Sequence, residues 1–256
     1  MEIELYQVIT LCVAAFAAGF VDAIVGGGGL IQTPAALIIL NLHPVSAVLA
    51  TVKIPSFFGT SVAAGQYITR VSVRWKTMAL LCVVAFCSAY AGSQLLLQVS
   101  NGFMKPVLLI VLLLVAVYTY SRKNFGQQVA RNKPKHEHLY AFFISLVVGF
   151  YDGFIGPGTG SIFILLFIAV LGFDFLHASA YAKVVNLSTN LGSIVLFLVN
   201  GTIIWSVALP MAASNAFGSL LGARLALVRG NAFIRVFFLV VVVLTLLRFA
   251  YDVFLK

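Results

Sequence analysis

Long apolar runs separated by short polar stretches make up almost the whole chain, and they predict ten helical segments. In order, the runs are Tyr6–Ile24, Leu30–Leu40, Val45–Ile68, Trp75–Leu97, Phe103–Tyr120, Leu139–Ile155, Ser161–Leu171, Ala178–Val199, Ile203–Val228 and Ala232–Phe254. A helix needs about 20 residues to cross the hydrocarbon core of a bilayer. Eight of the runs reach or approach this length, which predicts eight full transmembrane helices. Leu30–Leu40 and Ser161–Leu171 are short and each follows a glycine-rich break, so we expect broken or re-entrant helices there.

The composition identifies a lipid bilayer as the solvent of this chain. Of its 256 residues, 62% are hydrophobic and 9% are charged, whereas a soluble domain carries roughly 25% charged residues. The long apolar runs argue against an outer-membrane barrel, whose segments are short and alternating. The fold class is therefore predicted to be an all-α polytopic membrane protein. The net charge of +9 is best explained by basic loops that determine topology, and not by nucleic-acid binding.

The sequence repeats itself with a period of 130 residues. The matched pairs of motifs are Gly19-Phe20-x-Asp22 with Gly149-Phe150-x-Asp152, Ala50-x-x-Lys53 with Ala180-x-x-Lys183, Trp75 with Trp205, and Gly92 with Gly222. This repetition predicts a first transmembrane repeat over residues 1–120, a basic cytoplasmic linker over 121–138 and a second repeat over 139–256. Repeats of this kind are typical of secondary transporters.

The basic residues predict how the chain is oriented in the membrane. They cluster in the loop with Arg70 and Arg74, in the 121–138 linker, and around Arg229. If all ten segments cross, these three regions lie on one side, which the positive-inside rule assigns to the cytoplasm. The two halves would then be inverted and both termini periplasmic. If the short segments are re-entrant instead, the halves are parallel and Arg229 lies on the wrong side.

Four charged residues lie deep in apolar sequence as two pairs related by the repeat: Asp22 with Lys53, and Asp152 with Lys183. Burying such a charge in a membrane costs about 2.5–3.5 kcal/mol on insertion scales, so these side chains are expected to face the bundle interior or a cavity. Two interpretations stay open. The pairs Asp22–Lys53 and Asp152–Lys183 neutralise each other and fix the packing, or the lysines belong to an anion-binding site.

The glycine-rich breaks support the anion-binding interpretation. The strings GGGG from Gly26 and GPGTG from Gly156 interrupt helices, because interior Gly and Pro both destabilise them. Non-helical backbone within a membrane is tolerated only where it is buried in protein or lines a cavity. The short helices that follow would direct free N–H groups into that cavity, and such N-termini attract anions. The candidate residues at these breaks are Gly28, Gly29, Gly158, Gly160 and Ser161.

A polar face follows Lys183 at helical spacing, formed by Asn186, Thr189 and Asn190. Gln32 could add a further hydrogen-bond donor. The alternative for each of these residues is hydrogen bonding between helices, which is common in membrane bundles. The spacing Gly218-x-x-x-Gly222 indicates close helix packing.

No catalytic, cofactor or metal site is predicted. The three cysteines lie in apolar segments without CxxC spacing, and the chain lacks HExxH and a nucleophile with a His partner. The sequence therefore predicts a protein that is not an enzyme.

The paired motifs resemble those of the TauE/SafE family of membrane permeases, also called the 4-toluene sulfonate uptake permease family. The residues that carry the likeness are GFVDAIVGGGGLIQTPAAL from Gly19, Ala50-Thr-Val-Lys53, GFYDGFIGPGTGS from Gly149, and Ala-Tyr-Ala-Lys183-Val-Val-Asn186-Leu. The resemblance implies a multi-pass transporter of the bacterial inner membrane that moves sulfite, sulfonates or related small organosulfur anions, often outward.

Together these features predict a secondary transporter that works by alternating access. Lys53 and Lys183 would supply positive charge, and Asp22 and Asp152 would hold the lysines or relay a coupling proton. The alternatives are a small-anion channel and a membrane enzyme or assembly protein. The sequence does not determine the exact substrate, the coupling ion or the oligomeric state.

Overall fold

Eight helices account for most of the chain that the structure describes. It is a computed structural model that describes residues 4–100 and 137–254, with the backbone alone at 235 and 238–254. The helices are α1 (Leu5–Val25), α2 (Gly29–Ile39), α3 (Val45–Ile68), α4 (Trp75–Gln98), α5 (Glu137–Phe154), α6 (Thr159–Leu171), α7 (Phe175–Val199) and α8 (Trp205–Phe254). The two last predicted runs form one helix that is interrupted by non-helical backbone at Gly230. The predicted run Phe103–Tyr120 lies outside the described residues.

Five of the described helices are long and apolar enough to cross a membrane: α1, α3, α4, α7 and the Trp205–Ile234 part of α8. Of the eight full crossings predicted from the sequence, Phe103–Tyr120 lies outside the described residues and Ala232–Phe254 is described mostly by its backbone, so the count of eight stays a prediction. Helix α5 is not among the five, and its 18 residues include Glu137 and Asp152. Large apolar side chains such as Leu5, Ile9 and Val13 on α1 are exposed at the surface of the bundle, where a bilayer would cover them.

Small residues let two pairs of helices approach closely. A Cβ atom added at Gly222 of α8 would lie 2.3 Å from the Phe20 carbonyl oxygen of α1. In the same way, a Cβ at Gly92 of α4 would lie 2.2 Å from the Phe150 carbonyl oxygen of α5. The close packing expected at Gly222 is therefore present, and the pairs α1–α8 and α4–α5 use equivalent glycines of the repeat.

Helices α3 and α7 run antiparallel through the centre of the bundle. Ala50, near the start of α3, shares a buried cluster with Phe197 near the end of α7. Tyr67, near the end of α3, shares another cluster with Phe175 and Ala178 at the start of α7. Lys53 and Lys183 lie on these two helices, so the antiparallel arrangement decides which groups each lysine can reach.

The short helices turn back along the helices that precede them. Ala36 of α2 and Leu40, which follows that helix, pack in one cluster with Leu11 and Ala15 of α1. Chain reversal at each break places the glycine-rich segments in the interior of the bundle, where the charged side chains also lie.

Candidate functional site

The two glycine-rich breaks meet each other inside the protein. The Ser161 backbone N–H donates to the Gly26 carbonyl oxygen at 2.9 Å, and the Ser161 hydroxyl donates to the Val25 carbonyl at 2.9 Å. Gly26 has a φ of 77° and Gly158 a φ of 82°, in the left-handed region that favours glycine. A Cβ at Gly26 would lie 2.3 Å from the Gly160 carbonyl carbon. The absence of side chains at both breaks is thus what allows the contact.

A small polar cavity lies beside this contact, between α3 and α7. Its volume is about 40 Å³, and a water molecule needs about 10–15 Å³ measured in this way. The predicted site residues that line it are Asp22, Gly29, Lys53, Asp152, Gly158, Gly160, Asn186 and Asn190. The structure therefore gathers both breaks, one lysine, both aspartates and the two asparagines of α7 around one space. Leu49, Val52 and Ile155 add an apolar part to its wall.

Each buried lysine pairs with the aspartate of the other half. The Lys53 ammonium lies 2.8 Å from Asp152 Oδ2 and donates to the Asp152 carbonyl oxygen at 2.6 Å. The Lys183 ammonium lies 2.9 Å from Asp22 Oδ2 and also donates to the Asp22 carbonyl oxygen. The prediction that Asp22 pairs with Lys53, and Asp152 with Lys183, is therefore wrong. The physical reason is that the crossing of α3 and α7 carries each lysine to the break of the opposite half.

The two lysines differ in their access to the cavity. Lys53 lines it and is 7% exposed, whereas Lys183 is 0% exposed and does not reach it. Lys183 is held behind Asp22, whose carboxylate forms part of the wall. In this conformation an anion in the cavity can contact the ammonium group of Lys53 and not that of Lys183.

Five predicted site residues lie outside the cavity lining: Gly28, Gln32, Ser161, Lys183 and Thr189. The N–H group of Gly28 donates to Asp22 Oδ1 at 3.3 Å, so a carboxylate of the protein already takes the position expected for an external anion. The N–H of Ser161 is used by Gly26. The expectation that these two donors are free is therefore wrong, because the breaks satisfy their own backbone groups.

On α7, the polar face divides into residues that face the cavity and one that supports them. Asn186 and Asn190 line the cavity, while the Thr189 hydroxyl donates to the Asn186 carbonyl at 2.8 Å and approaches Asn186 Oδ1 at 3.1 Å. The Asn190 amide donates to the Asn186 carbonyl at 2.9 Å. Thr189 thus orients Asn186 and does not itself face the space.

A buried network that the sequence reasoning missed supports the opposite wall. Asn215 of α8 donates to Gln32 Oε1 at 2.8 Å, and Gln32 donates to the Val52 carbonyl at 2.9 Å. A Cβ at Gly59 would lie 1.8 Å from Asn215 Oδ1, so glycine there makes room for the asparagine. Position 85, the repeat counterpart of Asn215, is an alanine, and this difference was the signal that could have identified Asn215.

Comparison with known proteins finds relatives that match almost the whole chain. The family model described as "Sulfite exporter TauE/SafE" matches residues 11–249. A "Probable membrane transporter protein" of Haemophilus influenzae is 32% identical over 98% of this chain and 98% of its own length. "Probable membrane transporter protein ORF9" of a Sinorhizobium species is 33% identical over 98% and 95%, and "Probable membrane transporter protein YfcA" of Escherichia coli K12 is 32% identical over 93% and 87%. No solved structure matches the chain significantly.

The described helices form an apolar bundle with a polar cavity. The relatives are named as membrane transporters, and they align with this chain over almost their whole length. These findings define the class: the protein is a multi-pass membrane transporter and not an enzyme. The chain belongs to the TauE/SafE family, as its motifs predicted.

Proposed function

We propose that this protein is a secondary transporter of small sulfur-containing oxyanions, such as sulfite or a small sulfonate, and that it exports them. The observation that carries the proposal is the cavity between the two glycine breaks, which combines the Lys53 ammonium with the amides of Asn186 and Asn190. A compact oxyanion needs one positive charge and several donors, and these groups supply both. The cavity volume of about 40 Å³ favours a small anion over an aromatic one.

Alternating access between inverted halves is the transport mechanism we propose. Two observations support it. The repeat-related helices α3 and α7 run antiparallel, and the repeat-related pairs α1–α8 and α4–α5 pack through equivalent glycines. A bundle of two such halves can rock about a fixed central site.

The family description supports the substrate class and the outward direction, since it names sulfite export. The lysine and amide donors of the cavity support the sign and the size of the substrate. The liposome experiment below tests the substrate class and the contribution of Lys53.

Counterflow of ³⁵S-sulfite and ³⁵S-methanesulfonate into liposomes that contain the full chain tests the proposal. We expect saturable exchange that falls by about tenfold or more in Lys53→Met, because a hydrogen bond from a charged donor contributes about 1.5–3 kcal/mol. Lys76→Met is the matched control, since Lys76 is exposed at the start of α4. Lys183→Ala should also reduce exchange in correctly folded protein, through loss of its contact with Asp22.

Three outcomes would contradict parts of the proposal. Full exchange by Lys53→Met would remove the lysine from the binding site. Flux that does not saturate with anion concentration would indicate a channel. Exchange of carboxylates in place of sulfur oxyanions would assign a different substrate class to the same cavity.

A further inference from the structure

We propose that Asp152 takes up a proton when an anion binds to Lys53, so that anion and proton cross the membrane together. The inference rests on the proposed function, because it concerns the same cavity. It names the proton as the second substrate, and the Asp152–Lys53 pair as the place where the two are coupled.

The charged groups of the site balance one another. Lys53 pairs with Asp152 and Lys183 with Asp22, so their formal charges cancel. An anion that entered would therefore add an uncompensated negative charge to an apolar interior, which is costly. One proton added together with a monovalent anion restores the balance.

Asp152 lies where a bound anion would compete with it for Lys53. Asp152 Oδ2 lies 2.8 Å from the Lys53 ammonium, and both residues line the cavity. The carboxylate thus occupies the side of the ammonium group that a bound anion needs, and its charge repels that anion. When Oδ2 carries a proton, it no longer competes for Lys53 and becomes a donor to an anion oxygen. The carbonyl oxygen of Asp152, 2.6 Å from Lys53, keeps the lysine in place during the exchange.

The other ion pair is less suited to this role. Lys183 does not line the cavity, and Asp22 also accepts from the Gly28 N–H at 3.3 Å. Losing the charge on Asp22 would therefore weaken the start of α2 and leave Lys183 buried without a counter-charge. Asp22 and Lys183 are better explained as a fixed support for the wall.

Few other titratable groups surround Asp152 in the described part of the chain. Lys53 faces it from α3, and Asp22 of α1 lines the same cavity. Tyr151, its neighbour on α5, donates its hydroxyl to the Pro157 carbonyl at 2.6 Å. The contact from α4 comes from the Ser93 hydroxyl, which donates to the Gly153 carbonyl at 3.0 Å and does not titrate near neutral pH.

The coupling has a defined balance. A proton from the side on which the anion enters adds to Asp152, and it leaves with the anion on the other side, so the protein returns to its starting state. A monovalent anion then crosses without net charge. Export proceeds only while the outward gradient of the anion exceeds the inward gradient of protons.

The test uses the full chain in liposomes and methanesulfonate as the probe, because this anion stays ionised and carries no proton of its own. We expect an inward-directed proton gradient to drive methanesulfonate accumulation at least fivefold above its external concentration. We also expect a pH-sensitive dye to report about one proton entering per anion, and an imposed membrane potential to leave the rate unchanged.

Asp152→Asn supplies the variant test, since asparagine keeps the shape of the side chain but cannot take up a proton. We expect the ratio of internal to external methanesulfonate to fall from fivefold or more to about one, while counterflow slows to a smaller extent. Asp174→Asn is the matched control, because Asp174 lies in the loop before α7 and asparagine serves equally well as an N-cap. Accumulation by Asp152→Asn equal to that of the unaltered protein would overturn the role of Asp152.

The measurements on the unaltered protein decide the coupling even if Asp152→Asn does not fold. If the protein shows counterflow but a proton gradient produces no accumulation of methanesulfonate, the coupling is wrong and the proposed function still stands. Absence of counterflow for both sulfite and methanesulfonate would overturn the proposed function, and the coupling with it.

Discussion

The ion pairs that link Lys53 to Asp152 and Lys183 to Asp22 are the central feature at the scale of single residues. Each lysine contacts both the carboxylate and the backbone carbonyl of its aspartate. These contacts join residues that are 99 and 161 positions apart in the chain. A buried ion pair of this kind adds little net stability, because desolvation offsets much of the Coulomb attraction. Its main effect is to specify which residues come together in the folded protein.

Replacing Lys183 with methionine should destabilise the protein by up to about 3 kcal/mol, because it leaves the carboxylate of Asp22, whose side chain is 16% exposed, without its partner. The double variant Lys183→Met with Asp22→Asn should recover part of this loss. Thermal unfolding of the purified protein in detergent, arranged as a double-mutant cycle, measures both effects. Additive losses for the two changes would mean that the pair contributes no coupling energy.

The sequence could identify these four residues, since charge in an apolar run requires a partner or a cavity. It could not assign the partners. The spacing from Asp22 to Lys53 equals that from Asp152 to Lys183. The sequence was therefore compatible with an ion pair inside each half. The antiparallel crossing of α3 and α7 is what brings each lysine to the aspartate of the other half. That crossing depends on packing along the whole length of both helices.

At the scale of elements, the short helices α2 and α6 and the glycine breaks before them determine the site. The broken helices were predictable, because glycine strings and Pro157 are incompatible with a continuous helix. Their contact with each other was not predictable, since it depends on an approach so close that a Cβ added at Gly26 would lie 2.3 Å from the Gly160 carbonyl carbon. The network of Gln32 and Asn215 escaped detection for a similar reason, because a polar residue inside a regular helix gives no local signal of its partner.

Adding one methyl group at Gly26 should disrupt the contact between the breaks. Gly26→Ala places a Cβ in the left-handed region, at a cost of about 1–2 kcal/mol, and forces the two breaks apart. Gly65→Ala is the matched control: no atom lies within 4 Å of its added Cβ, and alanine in a helix interior should stabilise by about 0.5–1 kcal/mol. Thermal unfolding and sulfite counterflow check both variants. Normal stability and transport by Gly26→Ala would show that the close approach is dispensable.

At the scale of the whole molecule, the sequence predicted the class of protein well and its crossings less completely. Apolar run length located the described helices, because a bilayer requires such runs wherever a helix crosses. Five of the described helices qualify as full spans, and the count of eight over the whole chain stays a prediction. Helix α5 begins with two polar residues, Glu137 and His138. A prediction from the length of the apolar run does not take them into account.

The proposed orientation of the bundle can be tested with single cysteines. Asn200 and Ser72 lie in exposed loops, at the α7–α8 and α3–α4 connections respectively. In a background with Cys12, Cys82 and Cys87 replaced by alanine, a membrane-impermeant maleimide added to spheroplasts should label Asn200→Cys. Ser72→Cys should be labelled only after permeabilisation, because the loop of Arg70 and Arg74 is basic. The reverse pattern would place the basic loops outside.

The ion pairs between distant residues also constrain how the chain is made. While synthesis has reached only α4, Asp22 and Lys53 are already in the membrane, and neither of their observed partners exists. Those partners emerge with α5 and α7, so until then Asp22 and Lys53 lack the contacts that they make in the finished protein. A truncated chain that ends after α4 should therefore be degraded rapidly in cells, and a separately expressed segment from residue 137 onward should rescue it.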